Sequence, residues 1–106
     1  MASSKEYLDF VIEQLAGAEE ISFRPMMGEY VVYCRGKVIG GVYDDRLLLK
    51  PTRSALRLME EAGLEVRMEL PYEGAKKLFL ADVDRPDLLC RIAEAVVDDL
   101  PAPKRK

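Results

Sequence analysis

The side chains of this sequence best equipped for chemistry are cationic. Arg46, Lys50, Arg53 and Arg57 fall in residues 46–57, a stretch without one acidic residue. Arg53 and Arg57 are four apart and so share a helix face. Arg53 also belongs to a first helical turn, where free backbone N–H groups favour anions. Together they could receive a phosphate, a carboxylate-bearing partner or nucleic acid. The plainer reading is preferred: charge runs are usually solvated faces. Arg24, before Pro25, could present a guanidinium fork to a carboxylate or phosphate, or simply tie down a bend through Glu19, Glu20 or a helix end. Tyr30, Tyr33 and Tyr43 offer either an aromatic contact surface or filling beneath helices.

The acidic residues promise less. Acid–base catalysis needs two carboxyls in unlike environments, whereas the neighbours Asp44-Asp45 and Asp98-Asp99 point apart. Asp82, Asp84 and Asp87 lack calcium-loop spacing, and helix capping explains Asp84 and Asp87 better. Glu29 is expected to face solvent. The chain contains no histidine, which removes the commonest general base and metal ligand. Cys34 has Arg35 and Lys37 nearby to lower its pKa, but alternation sets it beside Tyr30 and Val32, which suggests burial. Cys90 lies at the margin of a helix's apolar face. No glycine-rich phosphate loop, nucleophile elbow or zinc spacing occurs. The expectation is no enzyme, no cofactor and no metal.

Size and charge narrow the class further. The 106 residues fit one domain, with 49% hydrophobic and 33% charged side chains, enough for one core without staples. The N-terminus lacks the apolar stretch of a signal peptide, no run is long enough to span a bilayer, and two cysteines are too few for a disulfide framework. A cytoplasmic location follows as the expectation. Of 16 basic residues, Lys104, Arg105 and Lys106 sit at the end, so 13 face 19 acidic ones and the body carries −6. That sign gains little from a phosphate backbone, and direct nucleic-acid binding is disfavoured.

The elements that must position these residues alternate in type. Ser3 and Glu6 have capping-box spacing, and Tyr7, Leu8, Val11, Ile12 and Leu15 form one helical face, with Phe10 off the stripe. Ile21-Ser22-Phe23 reads as an extended approach to Pro25. Glu29 to Cys34 is the first full strand, residues 38–43 the second and residues 46–50 the third, joined by turns at Arg35-Gly36-Lys37 and Asp44-Asp45. Gly40 and Gly41 mark a bulge or a close backbone approach. Thr52 caps a helix to Ala62, closed by Gly63. Residues 65–70 alternate Val66, Met68 and Leu70 with charges, a half-exposed strand, and residues 77–83 form a fifth. Pro71-Tyr72-Glu73-Gly74 is loop, or a cover for a sheet edge. Asp84 and Pro86 open a last helix whose face is Leu88, Leu89, Ile92, Ala93, Val96, Val97 and Leu100. The order α-β-β-β-α-β-β-α implies an α+β two-layer sandwich over residues 1–100, antiparallel sheet below and helices on one face. Residues 101–106 are expected to be a disordered basic tail.

The run Arg24-Pro25-Met26-Met27-Gly28-Glu29-Tyr30, then Tyr33, Gly36, Gly40, Asp45 and Leu47-Leu48-Leu49-Lys50, resembles the signature of the TfoX/Sxy N-terminal domain. In that family an Arg-Pro-Met-Phe-Gly-Gly-Tyr run opens a meander closing on Leu-Tyr-Leu-Lys. Here Met27 stands for Phe, Glu29 for the second glycine and Leu48 for Tyr. Full-length members carry a second, helical domain beyond the point where this sequence stops. The resemblance implies a regulator of competence (DNA uptake) gene expression that works with a protein partner such as the transcription machinery. Its motif residues, Arg24, Pro25, Met26, Met27, Gly28, Tyr30, Tyr33, Gly36 and Lys50, are expected to be mainly structural, while Arg24, Arg46, Lys50, Arg53 and Arg57 are the candidate contacts. The alternatives are an anionic-ligand protein or enzyme using Arg24 and nearby tyrosines, or weak nucleic-acid binding through residues 46–57. Homodimerisation through a sheet edge or Phe10 is left open.

Overall fold

Turn chemistry builds the sheet. The computed structural model describes residues 4–26 and 28–100. Strands β1 (Ile21–Met26), β2 (Glu29–Cys34), β3 (Lys37–Val42) and β4 (Leu47–Leu49) pair antiparallel in sequence order. Both central residues of the β2–β3 turn have positive φ (Arg35 51°, Gly36 78°), as do those of the β3–β4 turn (Asp44 51°, Asp45 57°). This is the backbone that matches strand twist in two-residue hairpins. Tyr43 and Arg46 close the second turn by exchanging backbone hydrogen bonds of 2.9 and 3.0 Å.

Helix α1 (Lys5–Gln14) precedes the sheet, and α2 (Arg53–Glu61), β5 (Met68–Glu69), β6 (Leu78–Leu80) and α3 (Pro86–Asp99) complete the chain. The sheet order is β1-β2-β3-β4-β6-β5. It has six strands, not five, because the segment at Ile21 pairs with β2 along its whole length. Pro25 masked that strand in the sequence, yet an edge strand tolerates a residue that cannot donate on its outer side. The remaining strands are shorter than expected: residues 65–70 reduce to β5 and residues 77–83 to β6.

The α+β two-layer arrangement holds. Leu8, Val11 and Leu15 of the α1 segment, Ala55 and Met59 of α2, and Leu89, Ile92, Ala93, Val96 and Val97 of α3 form one core with Val32, Cys34, Ile39, Val42, Leu47, Leu49 and Phe79 of the sheet. Helix α3 lies against α2, α1, β2 and β3, so Ala95 and Cys90, beyond its expected stripe, are buried too. Ile12 belongs to the α1 stripe but remains 41% exposed. Val66, Met68 and Leu70 are also exposed; they lie in or beside β5, the end strand of the sheet, which pairs only with β6 among the described residues.

The caps are partly reassigned. Ser4, not Ser3, caps α1, its Oγ accepting from the Tyr7 N–H at 3.1 Å; Ser3 lies outside the described residues. Thr52 caps α2 as expected. Gly63 (φ 76°) ends α2 in a Schellman pattern, with Gly63 N–H to Glu60 C=O and Leu64 N–H to Met59 C=O. At α3 the cap position is Arg85, which makes no side-chain cap bond, and Pro86 starts the helix. Asp84 is not the cap: its N–H donates to Asp82 Oδ1. Met27 and residues 101–106, the expected disordered tail, lie outside the described residues.

Candidate functional site

Helices cover one face of the sheet and leave the other without them. Strand alternation sends Tyr30, Val32 and Cys34 of β2 toward the helices, and Glu29, Val31 and Tyr33 to the opposite side. Registry places Arg24 of β1 opposite Val31 on that second face. There the Arg24 guanidinium lies 5.5 Å from the centre of the Tyr33 ring, a cation–π arrangement. Tyr30 and Tyr33 therefore serve different faces, and Arg24, Tyr30 and Tyr33 do not line one pocket.

Two glycines carry this face close to its neighbours. The β2–β3 register shifts at Val32/Tyr33, the bulge that Gly40 and Gly41 signalled. A Cβ on Gly40 would strike the backbone of β4, at the Leu48 carbonyl oxygen and 2.8 Å from Leu49 Cα. A Cβ on Gly41 would stand 2.6 Å from both the Tyr30 carbonyl oxygen and the Tyr43 ring. Gly41 thus lets Tyr43 lie flat on the uncovered face, where Tyr43 and Leu48 are buried apart from the main core. The Pro71-Tyr72 loop supplies the lid. Tyr72 meets Tyr43 with ring centroids 6.1 Å apart at 58°, a tilted geometry that aromatic quadrupoles favour. Burial, then the neighbouring Tyr72 and Glu29, hold the Tyr43 phenol above its ordinary pKa.

Between this lid and the β1–β2 turn runs a groove of about 710 Å³ lined by Met26, Glu29, Tyr43, Asp44, Arg46, Pro71 and Tyr72. Glu29 does not simply face solvent: half-buried, it accepts the Asp44 N–H at 3.0 Å. The carboxylate so completes a turn whose positive-φ residues leave that donor without a ladder partner.

The basic stretch is not one patch. Arg46 forms an ion pair with Glu69, donates its Nε to the Tyr43 carbonyl at 3.2 Å, and approaches the Leu70 carbonyl. Lys50, at the other end of β4, borders a shallow groove with Val38, Tyr72, Lys76 and Leu78. Arg53 and Arg57 are exposed on α2. The anion-seeking N-terminus of α2 is filled from within: Asp99 accepts from the Ser54 N–H at 2.7 Å and from its hydroxyl at 2.9 Å. The Ser54 backbone bond, then its hydroxyl, hold Asp99 below the usual carboxylate range.

The opposite end of the meander is tied to α3. Arg35 pairs with Asp98 at 3.0 Å, and Lys37 donates to the Leu100 carbonyl at 3.0 Å and the Val97 carbonyl at 3.4 Å, favourable at a helix C-terminus. Both thiols are free and buried. Cys34 donates to the Glu19 carbonyl in the α1–β1 connection, and Cys90 to the Gln14 carbonyl at the end of α1. Burial raises the Cys34 pKa and outweighs the lowering by Arg35. Among the described residues no group of three His, Cys, Asp or Glu side chains could hold a metal, and no helix is long and apolar enough to cross a membrane.

Sequence reading singled out Arg24 and the tyrosines but missed Tyr72, whose place beside Tyr43 depends on a loop crossing the sheet. The pairs Arg46–Glu69, Ser54–Asp99 and Arg35–Asp98 span 23, 45 and 63 positions, beyond any local signal.

Residues 13–100 match the family model described as the TfoX N-terminal domain. The chain is also 33% identical, over 98% of its length and 89% of the relative's, to a protein of Spirochaeta aurantia described as an uncharacterized 12.7 kDa protein in the trpE 5′ region.

Proposed function

Since this chain belongs to the TfoX N-terminal domain family, we propose that it is a non-enzymatic regulatory module of the cytoplasm. It acts by protein contacts in the control of competence genes, with no cofactor. The observation that supports this reading is the uncovered face of β1–β3. Arg24 lies over Tyr33 there, Met26 is 44% exposed, and Val31 is half-buried at the centre. An aromatic and an arginine set among apolar residues is the composition of protein interfaces. The exposed Arg53 and Arg57 of α2 supply a second, cationic contact.

Affinity capture with a tagged chain tests both surfaces. Arg24→Glu with Tyr33→Ser, and separately Arg53→Glu with Arg57→Glu, should reduce the yield of a co-eluting regulator while the melting temperature stays unchanged. Equal capture by wild type and a double variant discards that variant's surface.

A further inference from the structure

We propose that strand β1 pairs antiparallel with the β1 of a second copy of this chain, joining two six-stranded sheets into one across a twofold axis at Ser22. The inference does not rest on the regulatory reading, because it concerns the purified chain alone.

The two margins of the sheet differ. β5 has two residues and β1 has six, and a very short strand is one of the usual ways to blunt an edge. Among the described residues no strand lies beyond β1, and Ser22, Arg24 and Pro25 are exposed. The ladder with β2 fixes which backbone groups of β1 remain outward. The Arg35 N–H donates to the Glu20 carbonyl at 3.1 Å, one step before the Ile21–Cys34 pairing in the same register. Antiparallel pairs alternate between hydrogen-bonded and non-hydrogen-bonded. Ser22 and Arg24 therefore bond to β2, whereas the N–H and C=O of Ile21 and Phe23 point away from it. Pro25 also falls at an outward position, where its missing donor costs the β2 ladder nothing. Two outward donors remain on β1. Glu20, which leaves the extended region at φ 47°, and Pro25 bound the segment that carries them.

A second β1 matches this edge. With Ser22 facing Ser22, Ile21 of each copy lies opposite Phe23 of the other, and the two pairs exchange four N–H···O=C bonds. Every outward donor is then used. On the helix side this register sets Phe23 against Ile21, both half-buried in the monomer. On the open side it sets Arg24 opposite Glu20 at each end. Aromatic with β-branched and opposite-charge pairs are both favourable across strands. Among the described residues neither Arg24 nor Glu20 has an ion-pair partner in its own chain. Centring the axis on Phe23 instead would face Arg24 with Ser22 and Glu20 with Met26, losing both charge pairs. Centring it on Arg24 would set two like charges face to face. A twofold contact of this kind uses the same surface on both copies and closes at two. A single strand pair buries little area, so the dimer belongs to the weak, concentration-dependent class.

Sedimentation equilibrium of the full chain should show a monomer–dimer equilibrium that weakens with salt. Arg24→Glu and Glu20→Lys, each at an exposed position, should each raise the dimer dissociation constant about tenfold, because each places like charges opposite at both ends. Mixing the two variants should restore association, since every introduced charge then faces its opposite. Amide hydrogen exchange of the wild type supplies a readout that needs no variant. The Ile21 and Phe23 N–H groups should gain protection as concentration rises, while those of β5 do not. A chain still monomeric at about 1 mM, a mixture that associates no better than its components, or Ile21 and Phe23 exchange independent of concentration would each overturn the proposal.

Discussion

The two faces of this sheet are built from alternate residues of the same strands, yet they are made differently. On the helix side, Val32, Cys34, Ile39, Val42, Leu47, Leu49 and Phe79 are all buried in one cluster closed by three helices. On the other side, Leu48 and Tyr43 are just as hidden, Tyr43 with the Tyr72 ring of a loop against it, while Tyr33 is half-buried and Arg24 exposed. Burial on the first face is collective, shared by many apolar neighbours. On the second it hangs on single contacts. The lesson is that the strand's period of two separates the faces: one parity is buried beneath the helices, while the other is covered only in part.

Substitutions can break or sharpen that contrast. Phe79→Ala, at the centre of the helix-side cluster, should cost about 3–5 kcal/mol by leaving an unfilled cavity, read from denaturant unfolding. A much smaller loss would mean that the cluster is loosely packed. Gly41→Ala should cost about 1–3 kcal/mol, because its Cβ would meet the Tyr43 ring and the Tyr30 carbonyl. Its distinguishing sign is a changed Tyr43 environment in near-ultraviolet circular dichroism, which a general strand effect would not produce. Gly40→Ala sharpens the point, since its collision is with backbone and cannot be relieved by a ring moving aside.

Asp99→Asn tests the internal filling of the α2 N-terminus. Because the folded carboxyl is held low by Ser54, its stabilisation is present above the ordinary aspartate range and is lost as pH falls through the folded value. The melting-temperature gap between wild type and variant should thus be widest near neutrality and close under acid. A gap independent of pH would refute the charge-assisted bond. The smallest effect belongs to the open face: Arg24→Ala should change stability by no more than about 1 kcal/mol, the scale of an exposed cation–π pair.

Much of the architecture could be read locally. Two-residue turns, the alternation of β2, the Thr52 cap and the Gly63 stop are each specified within a few positions, and the structure keeps all of them. The errors arose where local rules met tertiary context. Pro25 disguised an edge strand, and Val66, Met68 and Leu70 alternate as though buried although that margin of the sheet has no cover. Capping spacing selected Ser3, yet Ser4 takes the role while its own N–H donates to Asp45, 41 positions away. Arg53 and Arg57 share α2 as their spacing requires, while the pairing of Arg46 with Glu69 could not be read locally.

Sequence by itself determined which parity of each strand is apolar, where the chain turns and which helical stripes seek cover, because those follow from side-chain period and backbone sterics. Only tertiary structure decided that Tyr72 would meet Tyr43, that Asp99 would satisfy α2 and that Arg46 would pair with Glu69. Each of these joins groups distant in the chain. Their meeting depends on how loops cross a finished sheet, information that no window of neighbouring residues contains.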